Sequence, residues 1–233
     1  YPGPHVDLVP QAFTLDDNYN QSLAQLGFVV VNFAYRGSGP WRGRDFHTFG
    51  YGNLRDYALA DDMAVVRQIA ARYPCADIER VGIYGHSGGG FMTVAAMLNH
   101  PEFYKVGVAA SGNHDNNIYS QWWGETFHGV KQTWGKDGKP HFECHIPTNI
   151  ELADRLTGRL LLITGDMDNN VHPASTARLA DALIRARKRF DMTVIPGADH
   201  GLGNSYYVNL IRYYFTEHLL GLPQQEIDIV KHN

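Results

Sequence analysis

Residues 80–99 read Arg-Val-Gly-Ile-Tyr-Gly-His-Ser-Gly-Gly-Gly-Phe-Met-Thr-Val-Ala-Ala-Met-Leu-Asn. A short β-branched run, Val81–Tyr84, meets a glycine cluster, and a helix-forming run, Phe91–Leu98, follows. Within it, Gly85-His86-Ser87-Gly88-Gly89 fits G-x-S-x-G in the strand-before, helix-after setting that this motif requires. On such a turn Ser87 is lifted clear of the sheet, and its neighbours pass so close to other backbone that side chains would clash. The helix behind it offers free N–H groups and a positive dipole end to a developing oxyanion.

The rest of the chain agrees with an α/β layout. It has 233 residues, 44% hydrophobic and 19% charged, which suits one globular domain with a full core. A net charge of −4 favours neither nucleic acid nor an anionic membrane as partner. No apolar run approaches the roughly 18 residues needed to span a bilayer. Cys75 and Cys144 form no metal or redox motif and leave the compartment open.

Outward from the central stretch, the pattern predicts a helix around Asp16–Leu26, ended by Gly27. Phe28–Tyr35 is apolar at nearly every position and reads as a strand covered on both faces. Residues 53–73 read as helix, with Leu59, Met63, Val66 and Ala70 as its core stripe and Asp61, Asp62, Arg67 and Arg72 on the surface. After the central strand and helix comes a strand at Val106–Ala110. Residues 111–150 read as an irregular, aromatic and histidine-rich insertion, of the sort that is more often functional than idle. A short helix near Glu151–Leu156, strand Leu160–Thr164, helix Ala174–Arg187, strand Met192–Ile195 and helix Tyr206–Leu220 complete the chain. Strands alternating with helices imply a mostly parallel sheet with helices on both faces.

A serine nucleophile needs a base to take its proton and a carboxylate to orient that base. Groups at the carboxyl ends of parallel strands converge on one crevice. Three such ends occur in order: Ser87, Asp168 and His200, the α/β-hydrolase order. Ser87 is then the nucleophile, His200 the general base and acid, and Asp168 the group that fixes the imidazole. Among the 12 histidines, His172 lies just past the carboxylate, and His86 occupies the turn itself and packs beside the nucleophile. Asp166 competes with Asp168, which lies further into the loop and so reaches better toward a neighbouring strand. Asp166-x-Asp168-x-Asn170 is not a calcium loop, because Val171 and Ala177 stand where Gly and Glu are needed. His141, Cys144 and His145 lack a fourth ligand at suitable spacing, so neither a metal nor another cofactor is expected.

These motifs together resemble the dipeptidyl peptidase IV branch of the prolyl oligopeptidase family of serine peptidases. The resemblance runs over nearly the whole chain. It rests on Tyr1-Pro2-Gly3-Pro4, Arg36-Gly37-Ser38-Gly39, Gly85–Gly90, Gly165–His172 and Asp199-His200-Gly201. It implies an α/β-hydrolase fold and a peptide substrate cut through an acyl-enzyme, after a penultimate proline or alanine. An acylaminoacyl peptidase, an oligopeptidase or an esterase would use the same three groups, and a non-catalytic binding module is the alternative of another class. By resemblance, the Tyr1 hydroxyl and the Gly88 N–H form the oxyanion hole. Asn170 binds a substrate carbonyl, and Tyr119, Trp123 and Val171 wall the pocket for the residue before the scissile bond. His86 and Gly88 depart from the Trp and aromatic residue more usual beside this serine, which changes the pocket's shape.

Family members also carry an N-terminal β-propeller that caps the site. In dipeptidyl peptidases it supplies acidic residues for the substrate's free amine. No propeller sequence occurs here, and Tyr1 normally follows directly on a strand of the hydrolase sheet. The expectation is that residues 1–233 are the catalytic domain of a longer peptidase, without its first strands. Unpaired sheet edges would then favour a homodimer or leave a strained monomer with little activity. The resemblance suggests a periplasmic or extracellular location.

Overall fold

The computed structural model describes residues 1–2, 9, 19–203 and 205–223. Four parallel strands, β1 (Val81–His86), β2 (Tyr104–Ala110), β5 (Arg159–Gly165) and β6 (Asp191–Ile195), form the main sheet in the order β1-β2-β5-β6. Side chains alternate between two cores, as the period of a strand requires. In β5, Leu160 and Leu162 face one side, Leu161 and Ile163 the other. Helices α3 (Leu59–Arg72), α4 (Gly88–Asn99) and α6 (Ala174–Arg185) pack on the first side. Helices α1 (Tyr19–Gln25) and α7 (Ser205–Leu220) pack on the second. The main sheet thus carries helices on both faces, as the alternating pattern requires.

Helix α4 is buried along nearly its whole length. Its sequence is apolar all round because the sheet lies on one side and a 3-10 turn at Ile150–Arg155 packs near the other. Pro74 ends α3 at Arg72.

Several expectations need correction. Phe28–Tyr35 forms no ladder among the described residues; Val29 and Val31 are exposed while Phe28 and Val30 are half-buried. A strand needs a hydrogen-bonded neighbour. Cavities of about 260 and 300 Å3 lie between this run and the edge of β1 that β2 does not use. The predicted helix over 53–73 starts only at Leu59, its first residues being turns. Asp62 is not a surface residue: it is half-buried and accepts the Tyr104 hydroxyl. Residues 111–150 are more ordered than expected. They hold α5 (Gln121–Phe127) and an antiparallel hairpin of β3 (Lys131–Trp134) and β4 (Pro140–Glu143), whereas the short α2 (Arg44–His47) lies earlier in the chain. The expected helix start at Asp16 and Asp17, and Gly3–Pro4 of the opening motif, lie outside the described residues.

Candidate active site

The turn after β1 is built by contacts that leave no room for side chains. Ser87 itself adopts φ 58° and ψ −124°, a backbone state that an L-residue keeps only when its surroundings impose it. Its N–H donates to the Ala110 carbonyl at 2.8 Å, and its carbonyl accepts from the Phe91 N–H of α4 at 3.1 Å. A Cβ at Gly85 would lie 2.3 Å from the Gly89 carbonyl oxygen, and one at Gly90 2.6 Å from that of Ala110. Gly89, by contrast, faces open space.

The exits of β5 and β6 bring the other two groups to this turn. A Cβ at Gly165 would lie 2.2 Å from the Ala198 carbonyl oxygen, so the two exits touch through backbone. Met167 N–H donates to that same carbonyl at 3.0 Å. Asp166, the competing carboxylate, is spent on this seam: its Oδ1 accepts the Gly197 N–H at 2.6 Å. Asp168 turns inward, with a fully buried side chain. Its Oδ1 accepts from the backbone of Asn170 at 3.0 Å and of Val171 at 2.9 Å. Its Oδ2 lies 2.8 Å from His200 Nδ1, and His200 Nε2 lies 2.9 Å from Ser87 Oγ.

These contacts set the proton positions. A carboxylate only accepts, so Nδ1 of His200 carries the hydrogen and Nε2 is left to accept from the Ser87 hydroxyl. His172 is spent locally, its Nδ1 accepting the Ala174 N–H at 3.1 Å. Ser87, Asp168 and His200, drawn from three separate strand ends, therefore meet in one continuous hydrogen-bonded chain.

The remaining expected residues also gather here. The Tyr1 ring packs on Gly88, where a Cβ would approach it to 2.9 Å. Its hydroxyl hydrogen-bonds with Ser87 and Trp123; burial raises its pKa, and those bonds act the opposite way. The Gly88 N–H opens α4 and belongs to the helix end whose donors lack intrahelical acceptors. The Tyr119 hydroxyl donates to Asn170 Oδ1 at 2.8 Å, which leaves the Asn170 amide NH2 as a donor. Tyr119 and Trp123 meet edge to face at 5.9 Å, and Trp123 and Val171 are buried.

Two supports escaped the sequence reading. Tyr35 donates its hydroxyl to the Tyr1 carbonyl, although its run reads as strand. Asn149 donates both to the Phe91 carbonyl, at 2.9 Å, and to His114 Nδ1, at 3.1 Å, tying the first turns of α4 to the loop after β2. Neither pairing leaves a local sequence signal, since the partners lie 34 or more residues apart. Among the described residues no group of three His, Cys, Asp or Glu side chains converges on a metal position.

A profile of the prolyl oligopeptidase family matches residues 14–222. The chain belongs to this family. Dipeptidyl peptidase 8 of Homo sapiens is 30% identical over 220 residues, covering 91% of this chain and 24% of the relative. Dipeptidyl peptidase 8 of Mus musculus is 29% identical over the same length. The crystal structure of Porphyromonas gingivalis dipeptidyl peptidase 4 superposes with a TM-score of 0.80 at 25% identity, covering 94% of this chain and 30% of that one. The chain thus spans about a quarter of the length of these curated relatives. Its sheet and helices are those of the α/β-hydrolase catalytic domain of a serine-peptidase family.

Proposed function

We propose that this domain is the catalytic part of a serine exopeptidase that releases N-terminal dipeptides, with proline or alanine before the scissile bond. The observation that carries the reading is the unbroken chain from Asp168 through His200 to Ser87. Ser87 Oγ attacks the scissile carbonyl as its proton passes to His200 Nε2. The Asp168 carboxylate, held by two backbone N–H groups, steadies the imidazolium that forms. The Tyr1 hydroxyl and the Gly88 N–H hold the oxyanion. His200 then protonates the leaving amine, and water repeats the sequence on the acyl-enzyme.

The choice of substrate rests on the walls. Tyr119, Trp123 and Val171 are assigned as walls for the residue before the scissile bond, an aromatic and apolar lining that suits the rigid ring of proline, and the Asn170 NH2 is a donor for a peptide carbonyl. Names of the relatives support the dipeptide-releasing reading over an esterase. Because the chain spans only part of their length, the groups that hold the substrate's amine are proposed to lie elsewhere in a longer protein, on a β-propeller.

The test uses the full-length protein with a chromogenic Gly-Pro substrate, free or N-blocked. Turnover of the free substrate is expected, with the Ser87→Ala variant falling at least about a thousandfold. The blocked substrate should be refused. Equal turnover of the blocked form would move the assignment to an acylaminoacyl or endo-acting peptidase, and an active Ser87→Ala variant would sink it altogether.

A further inference from the structure

His86, the residue just ahead of Ser87, meets the base itself. Its Nε2 lies 2.6 Å from the main-chain carbonyl oxygen of His200, and the two imidazole rings are 4.7 Å apart between centroids, tilted by 54°. A carbonyl oxygen only accepts, so Nε2 of His86 carries a hydrogen. The bond joins the turn after β1 directly to the loop after β6, by a route separate from the Ser87–His200 contact.

We propose that His86 is a positioning residue of this site: its Nε2–H fixes the main chain of His200, and its ring stays neutral while His200 gains a proton. The inference rests on the serine-peptidase reading. When Ser87 Oγ bonds to the acyl carbon, its proton moves to His200 Nε2 and makes an imidazolium. A second cation 4.7 Å away would oppose that step, because like charges at that range disfavour each other. A neutral His86 keeps the hydrogen bond without the repulsion.

The surroundings favour the neutral form. His200 faces the ring from the β6 exit and Asp168 acts on it from the β5 exit. Asp62 of α3, Tyr1, Tyr35 and Tyr84 line the cavity into which His86 opens. Burial lowers the His86 pKa and the charge of His200 adds to this, while the bond to the His200 carbonyl and the charge of Asp168 act the other way.

The test is the rate of fluorophosphonate labelling of Ser87 in the full-length protein, followed from about pH 5 to 9, for wild type, His86→Gln and His86→Phe. Labelling needs a ready Ser87–His200 pair but no peptide, so it is read independently of the substrate. Gln keeps a donor without a titrating ring, and Phe keeps only the shape. At the alkaline plateau His86→Phe should be slowed about tenfold, the worth of one hydrogen bond, and His86→Gln by less than about threefold. Because burial lowers the His86 pKa, His86→Gln, which has no ring to titrate, should keep the shape of the wild-type pH profile, and only the plateau level should separate the variants. If His86→Phe fails to fold, His86→Asn, whose shorter side chain withdraws the donor from the His200 carbonyl, takes its place. Equal plateau rates in all three, equal slowing of both variants, or an acid limb that changes shape in His86→Gln would overturn the proposal. Normal labelling in a wild type that turns over no Gly-Pro peptide would refute the substrate reading and leave this one standing.

Discussion

His114 and Asp168 are both buried, and they are handled in opposite ways. Asp168 has its carboxylate oxygens met by two backbone N–H groups and His200. His114 accepts from Asn149 at Nδ1, and desolvation alone holds its pKa down to about 3. In the unfolded chain a histidine takes a proton near pH 6.5, while folded His114 does not until about pH 3. Its contribution to stability is complete above pH 6.5 and is lost as pH falls, because the unfolded chain then binds the extra proton. The loss should reach about 2 kcal/mol by pH 5, at about 1.4 kcal/mol per pH unit. Urea unfolding of the full-length protein at pH 7 and pH 5 should show this drop, and His114→Gln should remove about that much of it. An identical drop in the variant would mean that other groups carry the acid sensitivity. Sequence alone could not have singled out His114 among the histidines, since it is enclosed by Gly112, Asn149 and Ser175, partners brought together by the fold and not by any local motif.

At the scale of elements, the turn after β1 shows why some of the site was legible. Glycines mark it, and those at 85 and 90 are demanded by backbone approaches of 2.3 and 2.6 Å. Gly89 is not demanded in this way, although it sits in the same motif. Gly85→Ala must push β1 from α4, because backbone cannot rotate aside; the expected cost is at least about 2 kcal/mol, with fluorophosphonate labelling of Ser87 lost. Gly89→Ala meets nothing and adds a better helix former to the first turn of α4, so its unfolding midpoint should be unchanged or raised, by up to about 1 kcal/mol. Thermal unfolding and labelling of the two variants side by side check the distinction, and comparable damage in both would contradict it. Strands β2 and β5 were readable for the same sort of reason: each is packed on both faces, and its apolar run says so. Phe28–Tyr35 has that run but joins no ladder among the described residues, and composition alone does not report which neighbour a strand will find. The β3–β4 hairpin went unread for the opposite cause. Lys131–Trp134 and Pro140–Glu143 are short and almost wholly exposed, so no apolar alternation marks them.

Across the whole molecule, the catalytic groups sit where the main sheet's strand ends converge, and the hairpin stands apart from them. Among the described residues β3 and β4 pair only with each other, and Trp134 and Phe142 are exposed. The chain is fastened just beneath the hairpin instead. The His128 carbonyl accepts the Gly52 N–H at 2.7 Å, its Nδ1 accepts that of Leu54 at 3.4 Å, and Ile146 is buried in the core on the other side. Stability is then unevenly spread, with the hairpin at its low end. Since Lys131 and Glu143 are paired, a short turn can join residues 131 and 143 without disturbing His128 or Ile146. Replacing residues 132–142 of the full-length protein by Gly-Asn-Gly should cost under about 1 kcal/mol, as expected for exposed structure away from the core. The rate of Ser87 labelling should be unchanged, because Tyr119, Trp123 and Asn170 are held from α5 and the β5 exit rather than from the hairpin. A loss of several degrees in midpoint, or slowed labelling, would show instead that the hairpin braces the aromatic wall, and that the insertion acts on the site as one unit rather than through α5 alone.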